Sequence, residues 1–226
     1  RKNLGLQEEA VCSRVNSPFN AEQLQVWLAT DVDTRYRQRT ATLPDLLKLL
    51  LHWLASTPGN CIIYFPSYQY MRDCLSLLED VSIPRTLWVQ QPAQEEMERN
   101  QLLQQLKDRE DIAAFCILGG VFGEGIDLPG DQLASAVVVG VGMPQINRDT
   151  RELQAWYEEQ TSAGFEFTFL YPGMQKVAQA MGRVIRRLED RGNVLLIDTR
   201  YKEKAYQDLL PPWWQYQSLP PSEAEK

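Results

Sequence analysis

The sequence predicts an α/β domain with a mainly parallel central sheet covered by helices on both faces. Three observations predict it. Short, Val- and Ile-rich apolar runs alternate with stretches of helical periodicity through most of the chain, the pattern of repeated strand–helix units. Some of those runs, Cys61–Phe65 above all, are continuously apolar rather than alternating, as strands buried on both faces are. The 226 residues, 44% of them hydrophobic, suffice for one large core.

In chain order, Ala10–Val15 and Leu24–Thr30 read as short strands around a Ser17-Pro18-Phe19 turn. Thr42 caps a helix with Pro44 in its first turn, and Leu43, Leu46, Leu47, Leu50 and Leu54 form its buried stripe. Pro58-Gly59-Asn60 stops it before the Cys61–Phe65 strand. A helix follows from Ser67 to about Glu79, then a short strand, Thr86–Val89. Gln94–Lys107 is helical, with Met97, Leu102, Leu103 and Leu106 facing the core. Ile112–Leu118 and Ala136–Val141 are strands, Arg151–Thr161 and Met174–Leu188 helices, Val194–Ile197 a last strand and Lys202–Leu210 a last short helix. The expected division is one domain over residues 1–218 and a polar tail over 219–226.

The bulk numbers exclude several classes. No apolar run approaches the roughly 20 residues of a membrane-spanning helix, so no membrane role is expected. The four cysteines, Cys12, Cys61, Cys74 and Cys116, form no C-x-x-C pair and read as free thiols, with no metal site and no iron–sulfur ligand set here. The chain opens on Arg1 without a leader, which reads as a fragment of a longer cytoplasmic protein. A net charge of −7 argues against tight nonspecific nucleic-acid binding, which comes mainly from neutralised phosphates; a local basic groove stays open. His52, the single histidine, sits on a Leu-rich helix and reads as packing rather than catalysis.

The most informative stretch is Gln179-Ala180-Met181-Gly182-Arg183-Val184-Ile185-Arg186. On a helix turning about 100° per residue, Met174, Val177, Ala178, Met181, Val184, Ile185 and Leu188 share one face. Gln175, Gln179, Arg183 and Arg186 share the other. A solvated face would be the ordinary reading of such charges, but it would mix Lys with Glu. Paired guanidiniums suit phosphate oxygens, which they grip bidentately without losing charge. A second stretch, Gly119-Gly120-Val121-Phe122-Gly123-Glu124-Gly125-Ile126-Asp127-Leu128-Pro129-Gly130-Asp131, follows a buried strand, where α/β sheets place their binding loops. Its glycines allow close backbone approach to a phosphate or sugar, although a tight turn would look similar, and it lacks the G-x-G-x-x-G of a dinucleotide site. In a third, the strand Cys61–Phe65 ends in Pro66-Ser67-Tyr68. There Ser67 is either a phosphate ligand or the N-cap of the next helix, and Tyr68 either stacks on a base or packs. Thr168, Phe169 and Tyr171 are aromatic-rich and read as core or as lining of a nucleic-acid path.

These three stretches resemble motifs VI, V and IV of superfamily 2 helicases of the DinG/XPD group, and in particular bacterial DinG- and YoaA-like proteins. Family-like order at Ser17-Pro18-Phe19, Tyr171-Pro172-Gly173, Leu196-Ile197-Asp198-Thr199-Arg200 and Pro211-Pro212-Trp213-Trp214 extends the resemblance along the chain. It implies a RecA-like three-layer domain, the second of two motors. Arg183 and Arg186 would then be the catalytic arginine fingers, with Gln179, Gly125, Asp127 and Glu124 at the nucleotide. Ser67, Tyr68 and Gly123 would lie on single-stranded DNA, travelled 5′ to 3′, in a bacterial cytoplasm. ATP with magnesium, and an iron–sulfur cluster, would be held mainly by a preceding motor domain of the same chain. No Gly-Lys or Asp-Glu dipeptide occurs in the sequence, so it has neither a Walker A loop nor the start of a D-E-A-H box and is expected not to hydrolyse ATP alone. A nucleic-acid or protein binding module and a freestanding Rossmann-type nucleotide domain are the competing classes.

Overall fold

The structure, a computed structural model, describes residues 15, 17–78, 81–92, 96–120, 122 and 132–219. Its strands are β1 (Leu24–Ala29), β2 (Cys61–Phe65), β3 (Thr86–Val89), β4 (Ile112–Ile117), β5 (Ser135–Val139), β6 (Gly192–Ile197) and β7 (Tyr216–Ser218). They form one seven-stranded sheet in the order β3-β4-β2-β5-β6-β1-β7, and every neighbouring pair is parallel. Every residue of β2 and β5 is buried, because helices cover both faces, as the unbroken apolar runs predict.

Alternation along the strands divides the core in two. Ile62, Tyr64, Ala114, Cys116, Ala136, Val138, Val194 and Leu196 face one side. There Leu102 and Leu106 of α3 (Glu96–Asp108) pack with Met174, Val177, Ala180 and Met181 of α5 (Tyr171–Met181), and with Trp214. Cys61, Ile63, Phe65, Ala113, Phe115, Val137, Val139, Leu195 and Ile197 face the other side, beneath α1 (Arg39–Ser56) and α2 (Tyr68–Ser76). The result is the three-layer α/β architecture the sequence predicts. The remaining helices are α4 (Arg148–Thr161), a π-helical turn over Glu166–Leu170 that leads into α5, and the short α6 (Lys204–Gln207) after a 3-10 turn, Thr199–Lys202. Among the described residues no helix is long and apolar enough to cross a membrane. Cys61, Cys74 and Cys116 are buried and free; burial pushes the Cys61 and Cys74 thiols up to about 11 and about 12, so they serve as packing.

Several expectations are corrected. The first long helix begins at Arg39, and Thr42 is not its cap: the Thr42 hydroxyl donates to Gln38 O and Asp33 O from inside the helix. Met97 is 64% exposed rather than a core contact, and His52 is exposed on the outer face of α1. Thr168 and Phe169 are buried, whereas Tyr171 is exposed. Strand β7, all of it exposed, runs beside β1 through a stretch whose sequence shows no alternation. Most of the expected strand Ala10–Val15 lies outside the described residues, as does Gln94, the expected start of α3.

The largest correction concerns Met174–Leu188. Helix α5 starts at Tyr171 and stops at Met181, with Gly182 as its C-cap. A continuing helix would direct the N–H groups of Arg186 and Arg187 to Gly182 O and Arg183 O. Instead both donate to Asp190 Oδ2, each at 2.8 Å. Val184 and Ile185 remain buried while Leu188 is 65% exposed. The apolar spacing at 181, 184, 185 and 188 therefore imitates a helical stripe that ends after its first member.

Candidate functional site

Because all the strands run the same way, the loops sort onto two edges of the sheet. The amino edge carries Asn60, Gln132–Ala134 and the segment 182–191. The carboxyl edge carries residues 30–38, Pro66-Ser67-Tyr68, Gln90, Leu118–Gly120, Gly140–Met143 and Asp198–Arg200. Strands of five or six residues separate the edges by roughly 17–20 Å at 3.3 Å per residue.

On the amino edge, Gln179, Gly182, Arg183 and Arg186 line a single open cleft of about 390 Å³. The sequence groups these residues on a helical face; the fold groups them by other means. Gln179 is still helical, Gly182 ends the helix, and the buried pair Val184-Ile185 turns Arg183 and Arg186 outward on either side of itself. Glycine is required at position 192 to admit Val184, since a Cβ there would lie 2.2 Å from Val184 Cγ1. The loop is bound to β1 through Gln23, whose Nε2 donates to Leu188 O at 2.7 Å and Asp190 O at 3.2 Å. A buried amide, Asn60, ties the rest of this edge together, donating to Leu106 O, Arg109 O and Gln132 O and accepting from Ile112 N. Two guanidiniums and an amide at an open cleft suit a multiply charged anion such as phosphate.

Arg183 also acts on Tyr64. Burial pushes the Tyr64 hydroxyl above its ordinary range, and the charge of Arg183 opposes that shift. The same hydroxyl donates to Phe122 O at 3.1 Å. Leu118–Gly120, at the start of that segment, lie at the carboxyl edge, and Gln132, at its end, lies at the amino edge beside Asn60. Gly123, Glu124, Gly125 and Asp127 lie outside the described residues.

On the carboxyl edge, Ser67 is the N-cap of α2, its Oγ accepting from Tyr70 N at 3.3 Å. Tyr68 is half-buried; its hydroxyl accepts from Gln90 Nε2 at 3.1 Å and donates to Gln91 O at 3.4 Å. Gln90 in turn accepts from Ile117 N, so Tyr68 is bound to the ends of β3 and β4.

Beside them is a cluster that sequence reasoning missed. Asp198, fully buried, accepts from the Arg200 backbone N–H and side chain and from the Thr34 hydroxyl. Arg39 donates to Thr34 O and lies 4.7 Å over the Tyr70 ring. Burial holds the Arg39 guanidinium below its ordinary value, with Tyr70 opposing and Arg200 reinforcing the shift. The two arginines thus sit together, Arg200 paired with a carboxylate and Arg39 held by a carbonyl and a ring. Only topology joins the pair Thr34 and Arg39 to the pair Asp198 and Arg200, so no local signal reveals the whole cluster. Among the described residues no group of three His, Cys, Asp or Glu side chains could hold a metal ion.

Residues 50–217 match the family described as helicase C-terminal domain. Among curated proteins, the chain is 29% identical over 191 residues to the ATP-dependent DNA helicase chl1 of Schizosaccharomyces pombe, covering 76% of this chain and 22% of that protein. It is 22% identical to the regulator of telomere elongation helicase 1 homolog of Drosophila yakuba, over 90% of this chain and 23% of that protein. The chain therefore spans less than a quarter of the length of either relative. In fold it is similar to an XPD helicase structure, with a TM-score of 0.71 at 22% identity over 87% of this chain and 35% of the other. A second likeness is to Dbp5 of S. cerevisiae bound to RNA and ADP BeF3, with a TM-score of 0.55 at 13% identity over 90% of this chain and 43% of the other. These likenesses identify the three-layer sheet as RecA-like. The two curated relatives are eukaryotic, and a particular closeness to bacterial DinG- and YoaA-type proteins finds no support in them.

Proposed function

Since the chain belongs to the helicase C-terminal domain family, we propose that it is the second motor domain of an ATP-dependent DNA helicase, completing an ATP cleft with its amino edge and gripping single-stranded DNA with its carboxyl edge. One observation carries this reading: Gln179, Gly182, Arg183 and Arg186 converge on one open cleft. A γ-phosphate held mainly by another domain would meet two guanidiniums there, and these neutralise charge that develops in phosphoryl transfer. The carboxyl edge supplies the other half of the cycle. Ser67, Tyr68, Arg39 and Arg200 stand where an extended phosphodiester backbone could be followed, as positioning contacts that carry no sequence information. The glycine-rich segment, whose flanks lie at opposite edges, would link nucleotide state to grip, with Gly125 and Asp127 toward the nucleotide and Gly123 toward the strand.

The test is Arg186→Ala in the full-length protein, measured as DNA-stimulated ATP turnover. An arginine finger is worth roughly 10³ to 10⁵ in rate, so turnover should fall by about 10³ or more while DNA affinity is kept. Parent-like turnover would make this cleft ordinary surface.

A further inference from the structure

We propose that Asp190 and Gln23 are positioning residues for Arg186, fixing where its guanidinium stands by holding the backbone that carries it; the inference rests on the reading of Arg186 as the arginine that meets phosphate. Arg186 lies in a segment that is neither helix nor strand, so no regular hydrogen-bond ladder sets its direction. The groups that bind its backbone therefore help to set it.

Asp190 is the first of these. One carboxylate oxygen, Oδ2, accepts from the N–H of Arg186 itself and from that of Arg187, both at 2.8 Å. The Asp190 backbone N–H returns a bond to Arg187 O at 3.2 Å and closes the turn. The residue is 6% exposed, and hydrogen bonds to an ionised acceptor are roughly twice as strong as neutral ones.

Gln23 is the second. Its Nε2 donates to Leu188 O and Asp190 O, and its Oε1 accepts from Asn20 N at 2.8 Å. Gln23 immediately precedes β1, so the loop is tied to the sheet from a point more than 160 residues away in the chain. Neither Asp190 nor Gln23 lines the cleft, so neither would touch nucleotide. Any effect on turnover must pass through the arginine.

Two other attachments of the loop are independent of this clamp. Val184 and Ile185 are buried, and Val184 sits against Gly192. Loss of the Asp190 carboxylate should therefore tilt Arg186 rather than unfold the edge. A misplacement of about 1 Å can cost on the order of 10² in rate.

The experiment is a double-mutant cycle in the full-length protein, reading DNA-stimulated kcat, KM for ATP and melting temperature. Asp190→Ala should lower kcat by roughly 10²-fold with little change in KM. Asp190→Asn keeps an oxygen that can accept both N–H groups and should recover most of that loss. In an Arg186→Ala background, Asp190→Ala should cost nothing further. The same fold-loss in both backgrounds, or parent-like kcat in Asp190→Ala, would overturn the clamp while leaving the finger intact. Parent-like turnover in Arg186→Ala alone would overturn the finger, and the clamp with it. Gln23→Leu leaves the carboxylate in place and carries the same cycle if Asp190→Ala does not fold.

Discussion

Asp198 shows how a single residue can be demanding without touching a ligand. It has no exposed surface and binds Arg200 through both of its oxygens. Burial pushes its carboxyl up, but the bonds and charge of Arg200, with the Thr34 hydroxyl, outweigh that and hold it below the ordinary carboxylate value. A depressed carboxyl contributes stability above its unfolded pKa, about 3.9, and loses that contribution as pH falls through the folded value. Urea unfolding should therefore show this contribution unchanged from neutrality through mild acid and declining only below roughly pH 4. Asp198→Ala leaves Arg200 mostly buried without its partner and should cost roughly 3–5 kcal/mol; a loss under 1 kcal/mol would mean that water replaces the carboxylate. The sequence points to Arg183, Arg186 and Gln179 because they lie within one short stretch of suggestive composition. Asp198 and Thr34 stand 164 positions apart and meet only because β6 and β1 are neighbours, so no spacing rule finds them.

At the scale of elements, most strands and helices are legible because burial on two faces and 3.6-residue periodicity are both strong signals. They fail where a tertiary contact outbids a local one. Helix α5 ends at Gly182 as Arg183 N and Val184 N turn to Ala180 O and Met181 O, and Asp190 then takes the N–H groups of Arg186 and Arg187; the spacing of Val184, Ile185 and Leu188 does not reveal that. Strand β7 fails for the opposite reason: an edge strand with every residue exposed has no inner face to alternate with. Helix α4 is a further case, with no buried residue at all. It is held instead by the stacking of Tyr157 on Phe167 and by its amino end, where Asn147 Oδ1 accepts from Thr150 N and Thr150 Oγ1 accepts from Asn147 N, each at 2.8 Å. Asn147→Ala should remove about 1 kcal/mol from this helix. Because α4 adds so little to the core, the loss should appear as faster amide exchange confined to 148–161, with the global melting temperature unmoved. A drop in global stability instead would mean that α4 unfolds together with the sheet.

In the proposed reading, the molecule as a whole has two working edges and depends on a partner domain for the rest of the chemistry. Its arginines can neutralise charge on a phosphate, but phosphoryl transfer also needs a phosphate cradle, a metal and a positioned nucleophile. Among the described residues no metal cluster is available, and the sequence has no Walker A cradle, since it contains no Gly-Lys dipeptide from which one could be built. An arginine finger supplied to a separate active site accelerates a reaction whose other parts are already in place; without them it has nothing to accelerate. The net charge of −7 further limits how much free energy phosphate contacts alone can supply. The purified chain should therefore release no phosphate from ATP above background, with or without single-stranded DNA. Added oligonucleotide should bind weakly, with an affinity that falls as salt rises. Turnover that disappears in Arg186→Ala would show that the chain assembles a complete site by itself, and the two-motor reading would have to give way to a freestanding nucleotide-binding domain.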